Sequence, residues 1–244
     1  MTRIRVVTYN VQGCRGGDGR TDPGRIIAVL RDLNPDIVAL QELSAGTGAC
    51  QLADLAAGLG LKGYAPEPSG GQAFLSRYPL KGLRPYAQSC QSWCLRADAD
   101  VAGKRLHLLN LRLAPGLSDR SLQISSLLGP DLLAARALVC PTLVLGDFAD
   151  LCGGLGSFSL SLALRLAPRP FWVGTYPAAF PVFGRDRAYL RGELEVLGTA
   201  IERGTQARQA SSHLPFLLTL KLQDPRNYLR LDKVPGRRME AAPG

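Results

Sequence analysis

The chain has 244 residues, 46% of them hydrophobic and 20% charged, which is enough apolar material for a sizeable core and excludes wholesale disorder. Its net charge of +9 comes from 29 basic against 20 acidic residues, and arginine dominates, since only Lys62, Lys81, Lys104, Lys221 and Lys233 are lysines. The six cysteines show no paired CxxC spacing, which argues against a zinc site, and no apolar stretch reaches membrane-spanning length.

Ile4 to Tyr9 reads as a β-branched strand, followed by a Gly-rich loop from Gly13 to Gly19 that lacks the Lys-Ser/Thr ending of a phosphate loop. Asp22-Pro23 opens a helix with Ile26, Ile27, Leu30 and Leu33 at helical spacing, and Asn34-Pro35 stops it. Asp36 to Glu42 is a buried strand, Leu52 to Leu59 a short helix, and Ala73 to Arg77 a strand entering a turn at Tyr78-Pro79-Leu80. Ser92 to Ala99 and Arg105 to Leu113 form a meander around Ala102-Gly103. Ser118 to Leu138 carries the longest helical pattern, broken in two at Gly129-Pro130, with Asp119, Arg120 and Gln123 on its exposed face. Thr142 to Leu145 is the next buried strand, followed by a helix near Ser157 to Leu164. Strands near Tyr189 and from Leu194 to Ile201 lead to a last one from Pro215 to Leu222.

Strands spread over the whole length predict one domain over 1–222, two sheets packed together with helices outside, and a basic, flexible tail over 223–244. The start runs straight into a strand with no apolar signal core, so a soluble, cytoplasmic protein without membrane insertion is expected. Cys140 and His107 read as structural residues.

Four short motifs end apolar runs and so place polar groups at a sheet rim: Thr8-Tyr9-Asn10, Gln41-Glu42, Gly146-Asp147-Phe148 and Ser212-His213-Leu214-Pro215. An Asn, a Glu, an Asp and a His presented together are what metal-assisted phosphate hydrolysis uses. Each residue has a plainer reading by itself. Glu42 suits an ion pair with an arginine, His213 a core histidine, and Arg185-Asp186-Arg187 a surface ion-pair cluster.

Taken in order, the motifs resemble the endonuclease/exonuclease/phosphatase superfamily. Asp36 to Glu42 looks like its DIVALQE strand, Ala73 to Leu80 its AxLSRYPL turn, Leu145 to Phe148 its LGDFN strand, Asp186 its LDRI segment, and Ser211 to Pro215 its SDHLP rim. The resemblance implies a four-layer α/β/β/α sandwich of two mixed sheets and a metal-dependent phosphodiesterase or phosphatase. It implies Glu42 as the main ligand to Mg²⁺ or Mn²⁺, Asn10 at the phosphate, Asp147 orienting the attacking water, and His213, held by Asp186, contacting the phosphate.

Three positions depart from the pattern. Arg112 stands in the place of the histidine of an NTHL strand, Ala149 in that of the asparagine of GDFN, and Ser212 in that of the aspartate of SDH. Arginine binds a phosphate oxygen or carboxylate but shuttles no proton near neutral pH, and the loss of a carboxylate weakens cation binding. Two functions from different classes follow: a weakened metal-dependent hydrolase assisted at the phosphate by Arg112, or an inactive relative that binds a phosphorylated ligand, nucleic acid or protein through the same cleft. Arginine forks match phosphate, so nucleic acid suits the charge as a partner, although a genome rich in G and C would raise arginine content equally.

Overall fold

Apolar runs that are buried on both faces in the central strands build two six-stranded sheets, with successive side chains pointing to opposite faces. The computed structural model describes residues 2–44, 46–66, 71–88, 91–135, 138, 140–150, 155–170 and 173–223, so the expected basic tail from 224 onward lies outside the described residues. In the first sheet β1 (Thr2–Asn10) runs parallel to β2 (Ile37–Gln41), and β4 (Ala73–Ser76), β3 (Lys62–Tyr64), β12 (Phe216–Leu222) and β11 (Leu194–Ile201) complete the order β11-β12-β1-β2-β4-β3. In the second, β7 (Lys104–Arg112) runs parallel to β8 (Thr142–Asp147), and β5 (Leu80–Gln88), β6 (Gln91–Val101), β10 (Asp186–Arg191) and β9 (Arg165–Leu166) give the order β5-β6-β7-β8-β10-β9. All other pairings are antiparallel.

Each parallel pair needs a crossover, and each has a helix in it. α1 (Pro23–Leu33) joins β1 to β2; Asp22 caps it by accepting the Gly24 N–H at 2.8 Å, and Asn34 ends it at φ 40°. α3 (Leu117–Leu128) joins β7 to β8. α2 (Gly48–Leu59) and α5 (Thr205–Ala210) pack beside α1, and α4 (Leu155–Ala163) beside α3, which makes the expected four layers.

The alternation sorts the rim residues. On β7, Leu106 and Leu108 enter the core between the sheets while Leu109 and Leu111 face α3 and α4. Parity therefore puts Asn110 and Arg112 on the inter-sheet side. Leu143 and Leu145 do the same for Asp147 on β8, and Ala188 and Leu190 for Asp186 on β10. Asn110 is fully buried and ties the sheets: its amide donates to the carbonyls of Leu40 at 2.8 Å and Ala73 at 3.1 Å, and its Oδ1 accepts from Gln41 at 2.7 Å.

Several expectations need correction. The second piece of the long helix is a set of turns over residues 131–134, since Pro130 prevents continuation from Gly129. Gln123 is buried and accepts the Ala114 N–H at 2.8 Å, because a helix laid on a sheet turns one face inward. Strands β3, β5 and β9 and helix α5 carried no clear pattern; β5 contains Gly82 and Pro85, which an edge strand tolerates. Among the described residues no helix is long and apolar enough to cross a membrane. His107 and Cys140 are buried, His107 hydrogen-bonded to Asp98 at 2.6 Å.

Gly146 adopts φ 145°, and a Cβ there would lie 2.0 Å from the Leu111 carbonyl oxygen. Gly146→Ala is expected to cost at least about 2 kcal/mol, because backbone cannot yield as a flexible side chain does. Urea denaturation reads the effect.

Candidate phosphate-binding site

Parallel strands deliver their carboxyl ends to the same rim, where ligand sites of α/β sheets form. Asn10 ends β1, Gln41 ends β2 with Glu42 just beyond, Arg112 ends β7 and Asp147 ends β8. The antiparallel neighbours supply their first residues: Asp186 opens β10 in register with Asp147, and His213 precedes β12. The structure thus brings together Asn10, Asp147, Asp186 and His213, and places Glu42 with Arg112.

Asp147 is 1% exposed and surrounded by donors. Arg185 grips it with both arms of its fork, Nε to Oδ1 at 3.1 Å and Nη2 to Oδ2 at 2.7 Å. The Ala149 N–H donates to Oδ1 at 2.8 Å and the Asn10 amide to Oδ2 at 3.1 Å. These four bonds fill the capacity of a carboxylate. His213 Nε2 stands 3.9 Å from Oδ2 as a further positive neighbour when protonated.

His213 Nδ1 pairs with Asp186 Oδ2 at 2.9 Å, which orients the ring. Its face meets Tyr176, centroids 4.8 Å apart, and the Arg185 guanidinium stacks on the same tyrosine at 4.6 Å. Ser211 Oγ donates to the Asn10 carbonyl at 2.8 Å, joining the His213 segment to the end of β1. Burial works against protonated His213, but the Asp186 carboxylate, its hydrogen bond and the charge of Asp147 together outweigh burial and raise the pKa above its ordinary value.

Across the rim, Arg112 Nε donates to Glu42 Oε1 at 2.9 Å. Glu42 itself sits at φ 57°, a left-handed conformation that a long side chain adopts only under constraint. Ala149 has φ 50°, a backbone shape that suits asparagine better than alanine. The neighbouring Asp150 does not replace the missing amide, since it pairs with Arg187 at 3.3 Å.

Asp147, Asp186 and His213 offer ligand atoms within 4.8 Å of one another. A hard divalent cation needs carboxylate oxygens that are open to it. In this arrangement the oxygens of Asp147 are filled, whereas Glu42 engages only Oε1 with Arg112, and Glu42 Oε2, Asp186 Oδ1 and His213 Nε2 make no hydrogen bond among the described residues, so those atoms could hold a divalent cation while Asp147 could join them only by releasing Arg185. What the site can do as arranged is present guanidinium, imidazolium and amide donors to an anion.

The sequence pattern of the Endonuclease/Exonuclease/phosphatase family matches residues 7–213. The chain belongs to this family. No curated protein matches it significantly. Among solved structures, an endonuclease/exonuclease/phosphatase from Beutenbergia cavernae aligns with a TM-score of 0.71 and 22% identity over 91% of this chain and 72% of that one. A mannosyl-6-phosphatase from Bacteroides thetaiotaomicron gives 0.72 and 17% over 89% and 99%. D. rerio TDP2 complexed with single strand DNA product gives 0.70 and 16% over 91% and 100%. At these identities the likeness establishes the fold shared by the family.

The partner of Asp147 is what the sequence reading missed. Arg185-Asp186-Arg187 is no surface cluster: Asp186 and Arg187 are buried and Arg185 reaches the centre of the site. Arg185 occupies the leucine position of the LDRI segment, so an arginine replacing an apolar residue was the available signal.

Removing the fork by Arg185→Ala leaves a buried carboxylate underneutralised and is expected to cost roughly 3 kcal/mol or more in urea unfolding. The His213 pair gives a pH dependence of known sign. With the folded pKa above the unfolded one, its stabilisation is present in full below the ordinary histidine value of 6.5 and is lost as pH rises through the raised value. His213→Asn should abolish that component of the stability–pH curve.

Proposed function

We propose that the rim binds the phosphate group of a phosphoester and that guanidinium charge has taken over the place of the metal, leaving hydrolysis weak or lost. The observation that carries this reading is the pair of ion pairs: Arg112 on Glu42 and Arg185 on Asp147, each an arginine at a position where the family pattern has another residue. A phosphoryl oxygen accepts the same two-pronged donation that a carboxylate does, so the ligand can compete for the forks of Arg112 and Arg185. His213 and the Asn10 amide add donors on the other side. The vestigial left-handed Ala149 and the neutral Ser212 agree with a catalyst that has given up its machinery. Asn10, Arg112, Arg185 and His213 are the binding residues, with Asp147 and Asp186 as their positioning partners. A sugar phosphate or a nucleic-acid end suits such a cleft, and the net charge of +9 supports attraction of either.

A second reading keeps the notion of a slow Mg²⁺- or Mn²⁺-dependent phosphodiesterase or phosphatase, with Glu42 as ligand once Arg112 swings away, Asp147 orienting water and His213 at the phosphate. The intact His213–Asp186 pair favours it.

Two measurements separate the readings. Purified protein is assayed for hydrolysis of an activated phosphodiester with Mg²⁺, with Mn²⁺ and with chelator, beside His213→Gln. The binding reading expects no metal-dependent turnover above that control and no metal-induced rise in melting temperature. Phosphate-ester binding should persist in chelator and weaken by roughly 10-fold or more in Arg112→Gln, which loses a charge-assisted hydrogen bond. Metal-dependent turnover that His213→Gln removes would establish the hydrolase.

A further inference from the structure

The two ion pairs of the rim are built differently. Arg185 holds Asp147 with two nitrogens, and both groups are largely removed from water. Arg112 reaches Glu42 through Nε alone at 2.9 Å, and its two Nη groups and Glu42 Oε2 make no hydrogen bond among the described residues. The side chains of Arg112 and Glu42 are 38% and 28% exposed, so solvent weakens their attraction and the pair separates easily. Glu42 keeps its place when that happens, because the backbone pins it: the Gly13 N–H donates to the Glu42 carbonyl at 2.6 Å, and the Leu43 N–H to the Gly71 carbonyl at 2.8 Å. Asp147, the strand neighbour of Arg112 in register, is saturated and does not draw the arginine inward.

Charge then sets what a ligand must bring with it. At rest the Glu42 carboxylate and the Arg112 guanidinium cancel. A phosphomonoester carries about two negative charges near neutral pH, so once its oxygens take the Arg112 fork, the phosphate, Arg112 and Glu42 together hold about two uncompensated negative charges. Drawing on Arg185 as well would free Asp147 and enlarge the imbalance. Arg120, which donates to the Ala149 carbonyl, offsets one charge at most. A single divalent cation closes the gap, and Glu42, with both oxygens then free, supplies the donor a hard cation prefers. The contact that captures the phosphate therefore vacates the carboxylate and creates the need for a cation in the same step.

We propose that the rim takes a phosphomonoester and a divalent cation together, with Arg112 leaving Glu42 for the phosphate and Glu42 accepting the cation in its place. Guanidinium stands in for the metal only at rest. The proposal rests on the phosphate reading of the rim and adds that the two ligands raise each other's affinity by one and the same factor.

The test uses the full chain, calorimetric titration and thermal melting. Phenylphosphonate, whose phosphorus–carbon bond resists hydrolysis, is the probe, Mg²⁺ the cation, and sodium chloride the control for ionic strength. Phenylphosphonate is expected to bind in chelator, which tests the phosphate reading by itself. Saturating Mg²⁺ should tighten it about 10-fold, and saturating phenylphosphonate should tighten Mg²⁺ by the same factor. Mg²⁺ alone should leave the parent at the melting temperature of the chloride control, yet raise that of Arg112→Gln, where Glu42 has lost its competing partner. In Glu42→Gln the Mg²⁺ effect should vanish while the probe binds in chelator at least as tightly as to the parent, since nothing holds Arg112. The singly charged methyl ester of the probe should respond much less to Mg²⁺. Probe binding that Mg²⁺ leaves unchanged, a response of the parent to Mg²⁺ alone, no such response in Arg112→Gln, coupling that persists in Glu42→Gln, or equal coupling with the methyl ester overturns the proposal and leaves the phosphate reading standing. No binding of the probe, with or without Mg²⁺, overturns both.

Discussion

The rim is organised by the need to hold buried carboxylates, above all that of Asp147. Asp147 ends a strand whose inward positions are Leu143 and Leu145, so pleating carries its carboxylate into the space between the sheets, where water cannot solvate it. An isolated carboxylate there would be protonated or expelled. It stays because Arg185, Asn10 and the Ala149 N–H converge on it and His213 stands close by. Each of these groups is held in turn: Arg185 by stacking on Tyr176, His213 by Asp186, and Asn10 by accepting the Gln12 N–H at 3.1 Å. A change in the neutralising group would therefore propagate through the whole rim.

The topology explains how groups so distant in sequence can meet. Two parallel pairs, β1 with β2 and β7 with β8, point their carboxyl ends the same way, and antiparallel β10 and β12 bring their first residues to the same edge. Asn110 and Gln41 lock the two sheets just beneath that edge, and a buried polar network of this kind fixes relative position better than apolar contact does. The close approach of Gly146 to the Leu111 carbonyl lets β8 deliver Asp147 beside the end of β7.

Metal and guanidinium solve the same electrostatic problem differently. A divalent cation neutralises carboxylates and still offers open positions to water and phosphate, whereas an arginine fork saturates its carboxylate and can neither polarise a bound water strongly nor move a proton. On the reading proposed above, replacement of metal charge by Arg112 and Arg185 would preserve the architecture of the rim while shifting its chemistry from transformation toward recognition. Arg112 and Glu42 are partly exposed, so that pair is screened by solvent and opens more readily than the buried Arg185–Asp147 pair.

Sequence alone determined most of the frame. The capped helix after Asp22, the buried strands from Asp36 and Thr142 and the rim motifs at Asn10, Glu42, Asp147 and His213 were all readable, because apolar periodicity, turn residues and strand-end polar groups are local signals. The ordered motifs pointed to the family, and Arg112, Ala149 and Ser212 stood out as departures from its pattern. Tertiary structure decided the pairings. That Arg112 meets Glu42 follows from the facing of strand ends 70 residues apart, and Arg185 could be taken for a surface residue until β10 was seen to lie against β8 in register at Asp147. The burial of Gln123 was equally invisible, since whether a polar group is satisfied depends on what the rest of the chain brings to it, and no local pattern encodes that.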